Sequence, residues 1–116
     1  PELWNYEYKK LFNKEVDMDS NGCLQDVHWY AGLFGYFPTY SLGALTAAQL
    51  ASQLRQDVLN LDDQVEKGDF KELLQWLKSN VHSKASLYSS NEILQQVTNS
   101  NLNAKYFEDY IKNRYL

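Results

Sequence analysis

The chain has 116 residues, a formal net charge of −4, 44% hydrophobic residues and 15% aromatic residues. A chain of this length can bury a hydrophobic core, its aromatic content argues against disorder, and its net charge lacks the basic footprint of a nucleic-acid-binding protein. Cys23 is the one cysteine, so neither an intrachain disulfide nor a zinc site of the paired-cysteine kind can form. No apolar run approaches the roughly 20 residues that span a bilayer, and we expect a cytoplasmic protein without a membrane partner.

Apolar residues recur with helical rather than alternating period between signals of Gly, Asn, Asp and Ser. The sequence therefore predicts an all-α fold of about six helices with short loops, in a single helical domain or fragment over residues 1–116. The first helix is expected over about residues 2–14. A shorter second helix is expected over about residues 24–30, because Gly32 and Gly35 follow it closely.

Pro38 suits the first turn of a helix, and the stretch of about residues 39–58, rich in Ala, Leu and Gln, is expected to be the longest helix. Three apolar stripes further along the chain are expected to be core faces rather than binding sites. They comprise Leu73, Leu74, Leu77 and Val81 with Trp76 beside them, then Ile93, Leu94 and Val97, then Phe107 and Ile111. Two capping boxes are expected to mark helix starts, at Asp69 with Glu72 and at Ser89 with Glu92.

Residues 17–22, Asp-Met-Asp-Ser-Asn-Gly, reproduce the opening of a calcium-binding EF-hand loop, with oxygen donors at alternate positions before a glycine. Such a loop closes with a bidentate Glu at its twelfth position, which here is His28. Gly32 also interrupts the helix that should follow the loop. These departures favour a polar turn between helices over a calcium site.

Residues 22–30 bring an amide, a carboxylate, an imidazole and two large aromatic rings into one short stretch. If this stretch is helical, Gln25 faces His28 and Trp29, because neighbours on a helix surface are three and four residues apart. Asp26 and His28 then point to different sides, and only an extended backbone would place them on one face. From the residues alone, Asp26 is expected to cap a helix or bond a tyrosine, and His28 to be a core histidine bonded to backbone.

A second segment, residues 35–43, carries Tyr36 and Tyr40 between two glycines and leads into the longest helix. Its tyrosines can hydrogen-bond a ligand from stiff aromatic stems, or reach water from a packed loop. The only histidines, His28 and His82, form no His-Glu-x-x-His pair, and serine-hydrolase, phosphate-loop and cysteine-nucleophile motifs are also missing. The chain by itself is therefore not expected to be a complete hydrolase.

Together, the two segments resemble the carboxypeptidase Taq family of metallocarboxypeptidases. The family motif Gly-x-x-Gln-Asp-x-His-Trp is matched by Gly22, Gln25, Asp26, His28 and Trp29. Its continuation, Gly-Tyr-Phe-Pro-Thr/Ser-Tyr-x-Leu-Gly, is matched by residues 35–43. The resemblance runs from about Trp4 to Tyr115 and corresponds to the carboxy-terminal part of a much longer family sequence, so we expect a fragment.

The resemblance implies an all-helical, commonly homodimeric zinc enzyme that removes single C-terminal residues from peptides with a free C-terminus. The zinc ligands, in a His-Glu-x-x-His motif, are expected outside this chain, so the chain itself is expected to bind no cofactor and to be inactive alone. By resemblance, His28 and Tyr40 are expected to be catalytic and to donate hydrogen bonds to substrate oxygens, with Tyr36 beside them as a substrate-binding residue. Gln25, Asp26 and Trp29 are expected to hold this wall of the cleft in place.

A competing interpretation is a non-catalytic helical interaction module, whose aromatic residues form a groove for a partner. In that interpretation the module responds to calcium through residues 17–22. Calcium titration followed by Trp fluorescence separates the two interpretations, because Trp29 is close to this loop in sequence and only the module predicts a response.

Overall fold

The computed structural model describes residues 1–116, which form seven α-helices and no strand. The expected all-α fold is confirmed, with one helix more than the six predicted. The chain divides into two compact units, Pro1–Thr39 and Tyr40–Leu116. None of the helices combines the length and the apolar character that crossing a membrane requires.

The first unit begins with α1, Glu2–Phe12, which ends where Asn13 adopts the left-handed conformation. Two 3₁₀ turns and a four-residue helix follow, at Asp19–Asn21, Cys23–Gln25 and Val27–Tyr30, the last of which is α2. The single helix predicted over residues 24–30 is therefore wrong in its first half. Asp26 divides it, because a non-helical backbone at Asp26 lets its carboxylate cap α2.

Gly32 ends α2, as predicted, through a Schellman motif. Its N–H donates to the carbonyl of Trp29 at 3.0 Å, and the N–H of Leu33 donates to the carbonyl of His28 at 2.9 Å. The motif requires a left-handed backbone, and Gly32 has a φ of 72°, which glycine adopts without steric cost. The chain is thereby turned back at once after the short helix that carries His28.

The longest helix, α3, covers Pro38–Asp57 and has Pro38 in its first turn, as predicted. The remaining helices belong to the second unit and alternate with short connections, one of which is a 3₁₀ turn at His82–Lys84. They are α4, Leu61–Glu66; α5, Lys71–Asn80; α6, Ser90–Thr98; and α7, Lys105–Tyr115.

The core of the second unit is formed by Leu54, Val58, Leu61 and Trp76. The stripe predicted on α5 therefore needs correction, since Trp76 is 8% exposed and belongs to the core, whereas Leu74 is 57% exposed. The indole N–H of Trp76 donates to Oδ2 of Asp57 at 2.7 Å, so the ring is buried with its polar atom satisfied. The other stripe residues of this helix pack against the core as predicted: Leu73, Leu77 and, just beyond the helix, Val81.

One of the two predicted capping boxes is confirmed, at the start of α6. Glu92 N–H donates to Oγ of Ser89 at 3.3 Å, and Ser89 N–H donates to Oε2 of Glu92 at 2.7 Å. The box predicted at Asp69 is wrong, because Oε2 of Glu72 accepts instead from Nε2 of Gln64, at 2.8 Å. This hydrogen bond joins α5 to α4.

Candidate functional site

Asp26 and His28 form a close polar pair at the start of α2. Asp26 precedes the helix with a φ of −78° and a ψ of 94°, so its carboxylate turns back over the first helical turn. Oδ1 of Asp26 accepts from the backbone N–H of His28 at 3.0 Å and lies 2.7 Å from Nδ1 of the same residue. The helical alternative, in which the two side chains point apart, is wrong, because Asp26 lies outside the helix with an extended backbone. Its predicted capping role is confirmed.

Both side chains of this pair are largely shielded from solvent. Asp26 is 10% exposed and His28 is 14% exposed. A hydrogen bond that involves an ionised group is stronger in such surroundings than in water. The imidazole is therefore held at Nδ1 in one orientation.

Aromatic rings pack around the imidazole of His28. The ring centroid of Tyr36 lies 5.0 Å from that of His28 with 30° between the planes, and the ring of Phe37 lies 5.8 Å away, roughly edge-on. Tyr36 remains 44% exposed. The structure thus brings together a residue from each of the two motif segments, with His28 shielded and Tyr36 partly open.

Gln25 and Trp29 lie on different elements from one another. Gln25 belongs to the 3₁₀ turn before Asp26, and its Nε2 donates to the backbone carbonyl of Ser20, so it joins this turn to the preceding one rather than sharing a helix with His28. Trp29 lies on α2 and stacks on Phe34, with 6.3 Å between ring centroids. Trp29 also lines an apolar groove of about 460 Å³ in the first unit, together with Trp4, Tyr8 and Cys23.

Tyr40 lies in the first turn of α3 and belongs to the second unit. Its side chain is 59% exposed. The chain enters α3 through a turn in which the N–H and the hydroxyl of Thr39 both donate to the carbonyl of Tyr36, at 2.9 Å and 2.6 Å. Tyr40 is therefore carried by the amino end of the longest helix with most of its ring open.

The acidic turn at residues 17–22 is closed by its own side chains. Nδ2 of Asn21 donates to Oδ1 of Asp17 at 3.0 Å, and this hydrogen bond holds the pKa of Asp17 below its ordinary value. No group of three or more His, Cys, Asp or Glu side chains is placed where it could hold a metal ion. The residues present therefore do not fit a metal centre of their own.

The helix predicted over residues 24–30 does not allow the pairing of Asp26 with His28, which requires the extended alternative. The signal was available, because Asp is among the preferred residues at a helix N-cap, where the side chain reaches the second or third residue of the helix. The second residue of α2 is His28. An Asp-x-His sequence at a helix start thus brings carboxylate and imidazole together, whereas the same sequence inside a helix separates them.

The all-helical fold and the order of the two motif segments indicate membership of a family of all-helical metallopeptidases. Residues 1–115 match the family described as carboxypeptidase Taq (M32) metallopeptidase, and the chain belongs to this family. Carboxypeptidase 1 of Bacillus subtilis is 39% identical over 115 residues, which are 99% of this chain and 23% of the relative. The expected resemblance is confirmed.

Two solved structures match the backbone closely. A carboxypeptidase of Pyrococcus furiosus gives a TM-score of 0.95 at 36% identity and covers 100% of this chain, which corresponds to 23% of that protein. Metallocarboxypeptidase 1 of Trypanosoma cruzi gives a TM-score of 0.92 at 40% identity, over 99% of this chain and 24% of that protein. The chain thus spans about a quarter of the length of the relatives that it matches.

Proposed function

We propose that the chain is the carboxy-terminal part of a zinc-dependent metallocarboxypeptidase that removes single C-terminal residues from peptides. In this proposal it contributes one wall of the substrate cleft, and the zinc ligands belong to other parts of the complete protein. Family membership over residues 1–115 and the match to about a quarter of each relative support the proposal. The chain alone is then inactive, because its own side chains offer no metal centre.

The observation that carries the proposal is the setting of His28 within the family motif. Its ring is bonded to Asp26 at 2.7 Å, lies 5.0 Å from the ring of Tyr36, and is 14% exposed. A histidine held on one side by a carboxylate and on another by aromatic rings is preorganised. Preorganised donors are what a transition state with developing charge requires.

The proposed chemistry follows from the charge that develops during peptide hydrolysis. The scissile carbonyl oxygen becomes negative, and donors aimed at it in advance stabilise the transition state. We assign this role to His28 and Tyr40, whose N–H and O–H groups donate to that oxygen or to the terminal carboxylate of the peptide. Tyr36 binds substrate beside His28.

Three further motif residues hold this wall in place. Gln25 joins the two 3₁₀ turns before Asp26, Asp26 holds His28, and Trp29 stacks on a neighbouring ring. By family resemblance we extend the proposal to the complete protein. It acts on peptides with a free C-terminus, as a homodimer, in the cytoplasm.

His28→Ala and Tyr40→Phe in the complete protein test the two donor assignments. Each substitution is expected to lower kcat by about 100-fold, because each removes one donor to the developing charge, while the bound metal measured by elemental analysis stays unchanged. His82→Ala is the matched control, because His82 is exposed in a 3₁₀ turn of the second unit. This substitution is expected to leave kcat unaltered. Unchanged kcat in either variant removes that residue from the mechanism.

A further inference from the structure

We infer that Asp26 fixes a proton on Nδ1 of His28 and thereby decides what the other ring nitrogen, Nε2, can do. Oδ1 of Asp26 accepts from the backbone N–H of His28 at 3.0 Å and lies 2.7 Å from Nδ1, so the carboxylate is anchored on the helix that carries the ring. An ionised carboxylate only accepts hydrogen bonds. The short contact therefore requires a proton on Nδ1, which makes Asp26 a positioning residue.

This arrangement limits the chemistry of Nε2. A neutral imidazole has one ring proton, and when Nδ1 carries it, Nε2 is an acceptor. Nε2 donates only when the ring is doubly protonated, and the resulting cation is then paired with Asp26. The donor role of His28 in the proposed function, on which this step rests, thus belongs to the imidazolium form, whose charge matches a developing oxyanion or a terminal carboxylate.

Helix capping alone does not account for the geometry. A cap needs one hydrogen bond to a backbone N–H, and Ser, Thr or Asn supplies it as well as Asp does. The additional 2.7 Å contact reaches the ring itself, and both side chains are at least 86% shielded, at 14% and 10% exposed. The rings of Tyr36 and Phe37 pack against the same imidazole and restrict its rotation.

The test is ¹⁵N NMR of labelled histidine in the complete protein, at a pH above the ordinary range of histidine pKa values. The His28 signals are assigned by their loss in a His28→Gln variant, and exposed His82 serves as the internal reference. We expect Nδ1 of His28 to give the signal of a protonated nitrogen. The two nitrogens of His82, by contrast, are expected to give signals averaged over both neutral tautomers. An unprotonated Nδ1, or averaging like that of His82, overturns the inference.

Asp26→Ser separates the effect on the ring from the cap, because Ser is a good N-cap but withdraws the carboxylate from Nδ1. The His28 signals are expected to move to the averaged pattern of His82, and unmoved signals overturn the inference. If this variant does not fold, the wild-type spectrum decides alone. A fixed Nδ1 proton combined with full turnover of His28→Ala in the complete protein would reject the proposed function and leave this inference standing.

Discussion

The neighbours of Gly22 leave no room for a side chain at this position. It is buried, and a Cβ there would lie 2.7 Å from Cγ1 of Val16 and 3.4 Å from the indole of Trp4. Gly22→Ala is expected to lower the free energy of unfolding by about 1–3 kcal/mol, measured by urea denaturation, because these side chains must shift. Gly43→Ala is the matched control. It lies in α3 with open space around it, and alanine there should stabilise by up to about 1 kcal/mol. Equal losses in both variants would contradict the packing argument.

Gln49 is the one fully buried polar side chain, and it ties α3 to the loop after α6. Its Nε2 lies within 3.1 Å of acceptors on Thr98, Ser100 and Asn101, and its Oε1 accepts from the N–H of Asn103 at 2.9 Å. Gln49→Leu is expected to cost about 3 kcal/mol in thermal or urea unfolding, because it leaves buried polar groups without partners. Gln56→Ala, at an exposed position of the same helix, should change stability by less than about 0.5 kcal/mol. A similar small loss for both would show that the amide network contributes little.

Among the elements, periodicity predicted the helices well because it reports which side of a segment is apolar. It failed where one side chain overrides the period. Asp26 converts part of a predicted helix into a cap, and Trp76 rather than Leu74 turns inward because its indole finds Asp57, 19 residues earlier in the chain. The partner of Trp76 is distant in sequence, so no local pattern contains it, whereas the cap at Asp26 is a local signal that periodicity does not include.

The capping box of α6 makes a prediction about that helix. Ser89→Ala removes the side chain that accepts from the N–H of Glu92, and it is expected to lower the free energy of unfolding by about 1 kcal/mol at neutral pH. Chemical denaturation measures the loss. Ser90→Ala, one residue further and inside the helix, is the matched control and should have little effect. A loss in the control as large as in Ser89→Ala would assign the effect to the helix rather than to the cap.

The same box has a defined pH dependence. The hydroxyl of Ser89 and then its backbone N–H hold the pKa of Glu92 below its ordinary value of 4.5. Because the pKa is lowered in the folded state, the charged carboxylate favours folding above pH 4.5, and this contribution is lost as the pH falls through the lowered pKa. The stability difference between wild type and Ser89→Ala is therefore expected to narrow in acid. A difference that stays constant down to pH 2.5 would contradict this account.

For the molecule as a whole, the first unit leaves most of its large apolar side chains exposed. Cys23 is its only buried apolar side chain, whereas every residue from 31 to 39 is exposed, including Phe34 at 77%. This exposure is typical of a surface that makes further protein contacts. It agrees with the proposal that these residues belong to a larger protein, whose remaining three quarters supply further contacts.

The two motif segments were sufficient to predict the family, because each is long and the two occur in the order that the family has. The roles of His28 and Tyr40 remain proposals for a physical reason. A catalytic role is defined by distances to substrate and metal, and this chain supplies neither a metal centre nor more than about a quarter of the length of its relatives. The part of the site that local geometry does define is the pairing of Asp26 with His28.

The most direct test of the central claim is mass spectrometry of peptides incubated with the complete protein, supplied with zinc. One peptide has a free C-terminus, and its matched control carries a C-terminal amide. We expect a ladder of products that lose one residue at a time from the C-terminus of the free peptide, and an uncut amidated peptide. Cleavage inside the chain, equal cleavage of both peptides, or no shortening of the free peptide would contradict it.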